Sequence, residues 1–101
     1  MVIHESAEDY LESILVLKER RGIVHSIDIV NELGYSKPSV SIAMKKLREN
    51  GYISMSPDGS ITLNESGLAI ASRVYDRHKT ITRLFVEHAK RWARNMSRKE
   101  G

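Results

Sequence analysis

Between Gly34 and Lys37 the chain ends one helix and begins another, with only Tyr35 and Ser36 in the gap, and this punctuation, with Pro38 just after it, constrains the fold more than any other feature. Glycine takes the left-handed conformation that ends a helix, and serine offers a side-chain oxygen to the free amides of the next. Proline costs nothing in a first turn, where its N–H would have had no partner. Two helices joined by so short a turn must turn sharply on one another, as in a helix-turn-helix. The first is short, with Ser26 as its cap and Val30 and Leu33 directed inward. The second is expected over 37–49, stopping at Asn50-Gly51. In it Val40, Ala43, Met44 and Leu47 recur at helical spacing and make one buried side, leaving Lys37, Pro38, Ser41, Ile42 and Lys45 on the other.

Upstream, Ser6 and Asp9 form a capping pair for a first helix over about 7–21, with Tyr10, Leu11, Ile14, Leu15 and Leu17 at core spacing. Ile23-Val24-His25 is long enough only for a strand-like connector. Downstream, Tyr52–Met55 and Ser60–Leu63 are short β-compatible runs flanking Ser56-Pro57-Asp58-Gly59, a turn sequence in which proline presets φ and glycine takes the positive value. Asn64 is expected to cap a long helix reaching about residue 95, with room for a break, and Ser97–Gly101 to fray. The whole is mainly α with a small β-hairpin: a winged helix-turn-helix over residues 1–64, followed by a long C-terminal dimerisation helix with a basic tail over 65–101.

Composition narrows the function. The 101 residues, 41% of them hydrophobic, suffice for one modest core that a partner helps to complete. No run approaches the roughly 18 apolar residues of a membrane span, and the first residues lack a secretory pattern, so the expectation is a soluble cytoplasmic protein with no membrane partner. Cysteine is absent, which leaves any metal to oxygen and nitrogen ligands. With no HExxH, no phosphate-cradling glycine loop and no clustered nucleophile and base, the chain does not read as an enzyme. The net charge of +3 is unevenly spread. Acidic residues dominate 1–35, whereas Lys37, Lys45, Lys46 and Arg48 face Glu49 alone over 36–50.

A basic stretch on a two-faced helix after a tight turn points to double-stranded DNA. The candidate contacts are Ser26, Ser36, Lys37, Pro38, Ser39, Ser41, Ile42, Lys45 and Lys46. Lysines and cap serines suit phosphates, Ser39 and Ser41 are short enough for base edges, and Ile42 or Pro38 suits a thymine methyl. At the hairpin, Asp58 is a poor phosphate ligand; either Ser54, Ser56, Ser60 or backbone amides touch DNA, or the hairpin only covers the core edge. Ile81, Leu84, Phe85 and Trp92 exceed what a small core can cover, which implies a homodimer through the last helix, gripping a palindromic operator. Arg83, Lys90, Arg91, Arg94, Arg98 and Lys99 are either a solvated flank or an auxiliary DNA-contacting tail. The rival reading is a winged-helix protein-interaction module, or a truncated antagonist of a longer paralogue.

These residues resemble the N-terminal half of the diphtheria toxin repressor and manganese transport regulator family, over residues 5 to about 80. The likeness rests on ESAEDYLESILVLKE, IDIVNELGYSKPSVSIAMKKLRENGYI, the hairpin followed by ITLNESGLAIA, and VYDRHKTI. It implies a transcription regulator acting as a repressor, in which divalent metal between the DNA-binding and dimerisation parts orders the first helix. The implied ligands for Mn²⁺ or Fe²⁺ are Asp9, Glu12 and His78, with Glu87 and His88 as further partners. The pattern departs from the family beyond residue 80, where Thr82 and Leu84 stand in ligand places and the chain runs LFVEHAKRWARNMSRKEG.

Overall fold

The computed structural model describes the backbone of residues 5–100 and the side chains of 6–93. Helix α1 spans Glu5–Arg21, α2 Ser26–Leu33, α3 Lys37–Glu49 and α4 Glu65–Glu100, with strands β1 Ile53–Met55 and β2 Ile61–Leu63 between α3 and α4. The architecture is the expected winged helix with a long last helix. Among the described residues, no helix is long and apolar enough to cross a membrane.

The helix ends follow capping chemistry, with two changes of residue. Ser6 lies inside α1, which is already helical at Glu5, so it is not the cap. Ser26 is the first helical residue of α2, and the capping position belongs to His25, whose backbone is extended (φ −119°, ψ 165°). The His25 N–H donates to the Asp28 carboxylate at 2.8 Å, the reciprocal bond of a capping box, with an acid placed in the first turn. At the other end Gly34 adopts φ 72° and donates its N–H to the Val30 carbonyl at 2.9 Å. Ser36 then caps α3, its Oγ accepting the Ser39 N–H at 3.3 Å, and Pro38 sits in the first turn.

One core holds all the elements. Leu11, Ile14 and Leu17 of α1, Ile29 of α2, and Val40, Met44 and Leu47 of α3 close on Ile53, Ile61, Ala71 and Val74. Tyr10 is buried against Tyr35 in an edge-on aromatic contact, ring centroids 5.6 Å apart. Ile29 replaces Val30 and Leu33 as the buried anchor of α2; those two are only partly covered. Leu68 is 45% exposed, because Gly67 and Ala71 present the side of α4 that meets the core.

The strands pair antiparallel with Ser54 opposite Thr62. Each is one residue shorter than the sequence suggests, because the flanking backbone has other partners. The Tyr52 N–H goes to the Leu47 carbonyl at 3.0 Å, and its carbonyl accepts the Asn64 N–H at 2.9 Å. The Ser60 N–H goes to the Asp58 carboxylate at 2.9 Å. The connector after α1 joins the hairpin through the Ile61 N–H and Val24 carbonyl, 2.8 Å apart. Gly67 lets α4 lie against this edge, since a Cβ there would collide with the Tyr52 carbonyl oxygen.

Helix α4 is continuous, without the break the sequence allowed, and its backbone stays helical through Glu100, past the expected end near residue 95. The side chains of Arg94, Arg98 and Lys99 lie outside the described residues. The first turns of α4 close the core through Gly67, Ala71 and Val74, whereas every side chain from 76 to 93 is exposed. The molecule therefore extends 63 Å along one axis and only about 24 Å across it.

Candidate nucleic-acid interface

Helix α3 has two sides of opposite character. Val40, Met44 and Leu47 are buried, while Lys37, Pro38, Ser41, Ile42, Lys45 and Lys46 are exposed. Ile42 is 58% exposed among the lysines of this side. The candidate residues fall on two flanks of the helix. Ser41 and Lys45 share an open concavity with Ser26 of α2, Arg48, and Met55 of the hairpin. Lys37 and Ser41 continue it toward Ile27 and Val30. On the other flank Ser39, Ile42 and Lys46 line a groove against Ser6, Ala7 and Tyr10 of α1.

The cap serines are partly committed. Ser36 Oγ lies 2.8 Å from Ser39 Oγ while also taking the Ser39 N–H, so this pair anchors the start of α3 and presents one hydroxyl proton outward at most. Arg48, left out of the candidate contacts, stands one turn beyond Lys45 with its guanidinium 4.0 Å from Met55 Sδ, bridging α3 and the hairpin. Its place three residues after Lys45 was a sufficient signal.

The hairpin tip is acidic. The backbone N–H of Ser60, and then its side chain, hold the Asp58 carboxyl below the usual carboxylate range, so the tip stays anionic. Ser54 is engaged, donating to Asn64 Oδ1 at 2.6 Å, while Asn64 Nδ2 and Ser66 Oγ both donate to the Gly51 carbonyl, at 3.0 and 3.1 Å. Asn64 thus ties the hairpin to α4 rather than capping α4 with its side chain. Burial, followed by the neighbouring Tyr35, raises the Tyr10 hydroxyl above its ordinary value.

Away from this face, α1 and α4 are joined by polar pairs: Arg77 to Glu8 at 3.2 Å and His78 Nδ1 to Glu12 Oε2 at 2.7 Å. The Glu12 and His78 expected as metal ligands are therefore brought together across 66 residues of chain. Asp9 is half-buried on α1, and among the described residues no group of three His, Asp or Glu side chains is placed to hold a metal. Glu87 and His88 line a separate surface with Leu84, Phe85 and Arg91. They lie about 14 Å further along α4 than His78 at roughly 1.5 Å per residue, too far to complete the same shell within one chain. Two donors are less than half of what Mn²⁺ or Fe²⁺ takes in an oxygen and nitrogen site, so the described residues do not fit a closed metal site.

Residues 3–61 match the family described as iron dependent repressor, N-terminal DNA binding domain. An HTH-type transcriptional regulator of Methanocaldococcus jannaschii is 37% identical over 84 residues, covering 82% of this chain and 67% of that protein. The diphtheria toxin repressor of Corynebacterium efficiens is 29% identical over 83 residues, 82% of this chain and 36% of the repressor. The transcriptional regulator MntR of Salmonella typhimurium is 31% identical over 77 residues, 76% of this chain and 49% of MntR. The chain thus spans only a third to two thirds of these relatives. A solved structure of an S. aureus MepR mutant superposes with a TM-score of 0.67 over 95% of this chain and 77% of that one, at 16% identity, which shows a shared fold.

Proposed function

The chain belongs to the iron dependent repressor family of DNA-binding transcription regulators rather than to a family of enzymes, and on that premise we propose that it is a sequence-specific, homodimeric repressor acting on palindromic DNA in the cytoplasm. One observation carries the reading: α3 buries Val40, Met44 and Leu47 and holds Lys37, Ser41, Ile42 and Lys45 outward, beside a hairpin. In this reading α3 enters the major groove. Lys37, Lys45 and Lys46, with Ser26 and the Ser36–Ser39 pair, fix register on phosphates, while Ser41 and Ile42 face base edges. Arg48 adds a phosphate contact at the base of the wing. Residues 1–64 form the reading domain, and 65–101 both close its core and carry the dimer seam.

Metal is not built into this mechanism. Glu12 and His78 tie α1 to α4 through their own 2.7 Å hydrogen bond, and no third donor joins them among the described residues. Occupancy of the operator by the dimer is enough for repression.

The test is Lys45→Ala assayed on operator and on unrelated DNA. Loss of one phosphate contact weakens both to a similar degree and lowers the slope of log K against log salt by about 1. An unchanged slope removes Lys45 from the interface. A well-folded wild type with no DNA binding at low salt would instead favour the interaction module or antagonist.

A further inference from the structure

We propose that α4 pairs antiparallel with α4 of a second copy of this chain, on a seam centred between Val86 and Glu87, and that this pairing holds the two winged domains about one turn of B-DNA apart. The inference rests on the homodimeric reading above and gives it a geometry.

The seam is visible as an unbroken spacing. Ala71 and Val74 are buried in the chain's own core and His78 pairs with Glu12. The same alternation of three and four residues continues through Ile81, Phe85, His88 and Trp92, which is a heptad stripe. Val16 and Glu12 of α1 reach along α4 as far as Thr82. Ile81 at that limit, and Phe85 and Trp92 beyond it with Leu84 beside them, are 57%, 72%, 61% and 61% exposed. Lys79, Arg83 and Lys90 fall on the far side of the helix, some 120–160° around from Phe85 at about 100° per residue. A single apolar stripe with a charged back fits one helix as its partner.

Three considerations favour a second copy, and the antiparallel direction. The stripe is self-complementary about its centre, with Ile81 opposite Trp92 and Phe85 opposite His88, so a smaller group meets a larger one in both kinds of layer. The winged domain sits on the seam side of α4, through Ala71 and Val74, and is about 24 Å across. Parallel helices 8–10 Å apart would force two such domains into the same space. Antiparallel helices put the two domains at opposite ends of the pair. The area is also sufficient. Phe85 and Trp92 belong to the class of side chains that bury roughly 150–250 Å² each, and with the exposed parts of Ile81 and Leu84 the four groups supply on the order of 500 Å² per chain, so the pair reaches the roughly 1,000 Å² that a specific interface must clear.

The spacing follows from the helix rise. Val74 is the last fully buried residue of α4, and the two Val74 positions lie about 38 Å apart along the paired helices at roughly 1.5 Å per residue, against 34–36 Å for a turn of B-DNA.

The chain offers clean readouts, having one tryptophan, Trp92, and no cysteine. Sedimentation of the full chain is expected to give a dimer, with Trp92 emission moving to the red on dilution. Small-angle scattering is expected to give a maximum dimension of about 85 Å, obtained from the 63 Å length of one chain and the helix rise; a parallel dimer would stay near 65 Å. Under mild oxidation Ile81→Cys mixed with Trp92→Cys should form the mixed disulfide, and neither variant alone should cross-link. Phe85→Glu should yield a monomer that keeps its helical circular dichroism. A dimer in which Ile81→Cys cross-links to itself, or whose longest dimension is near 65 Å, overturns the antiparallel seam and leaves the homodimer standing. A dimer that Phe85→Glu does not disturb also overturns the seam, placing the interface elsewhere. A monomer at every concentration overturns both.

Discussion

Ser13 carries a hydroxyl into the packed side of α1, and its Oγ has no hydrogen-bond partner among the described residues. A buried hydroxyl without a partner costs free energy that alanine does not, and alanine is the better helix former. Ser13→Ala is therefore expected to stabilise the fold by about 1 kcal/mol, read as a higher urea midpoint at unchanged slope; a lower midpoint would show that Oγ is bonded in solution. Glu12 and His78 make a second prediction at this scale. With two donors and no third beside them, calorimetry with Mn²⁺ or Fe²⁺ should show no submicromolar site, and Glu12→Gln should leave the weak heats unchanged. A tight isotherm that Glu12→Gln abolishes would mean that donors outside the described residues complete a shell. The sequence shows that Asp9 and Glu12 share a helix side, since that is a local spacing. That Glu12 meets His78 across 66 residues was accessible only through the family resemblance, because no local pattern encodes which helices touch.

The elements owe their ends to single side chains, and here the sequence is legible wherever the physics is local. Gly34, Ser36 and Pro38 act as their types require, and the apolar spacing of α3 picks out Val40, Met44 and Leu47 correctly. It fails where several residues compete. Helix α2 holds Ile27, Ile29, Val30 and Leu33 within eight residues, too dense for periodicity to select Ile29 as the anchor. The cap of α2 falls one residue early, at His25 rather than Ser26, because Asp28 accepts the His25 N–H from three residues on and an acid in a first turn gains from the helix dipole as well. Asn64 likewise spends its side chain on Ser54 and the Gly51 carbonyl, a choice set by how the hairpin lies on α4. Asn64→Ala removes both bonds and should cost about 1–2 kcal/mol, with faster amide exchange in residues 52–63 than in α1. Uniform exchange across the two would show that the hairpin does not depend on this link. If the wing touches DNA through Ser56 or Ser60, the same variant should weaken operator binding more than its stability loss explains.

For the whole molecule, a reading domain about 24 Å wide stands at one end of a rod that brings the length to 63 Å, and the rod's exposed half carries the apolar stripe. The charge follows the same division. Glu8 and Glu12 are spent on Arg77 and His78 between α1 and α4, while Lys37, Lys45, Lys46 and Arg48 remain outward on or beside α3. A single α3 reads only a few base pairs, so specific binding depends on how far apart two copies are held. A rigid helical pair sets that distance without adjustment, whereas a flexible linker would tolerate many spacings. The operator should therefore be a palindrome with half-site centres about 10–10.5 base pairs apart, and affinity should depend sharply on that interval. Inserting about 5 base pairs turns one half-site to the opposite face of the duplex, and should reduce binding at least 100-fold, to the level of a single half-site. Gel shifts on a spacer series, with Phe85→Glu alongside, decide the point. The wild type should peak at one spacing, and the variant should be weak and indifferent to spacing. A wild type equally indifferent would mean that the two domains are not held by α4, even if the protein is a dimer.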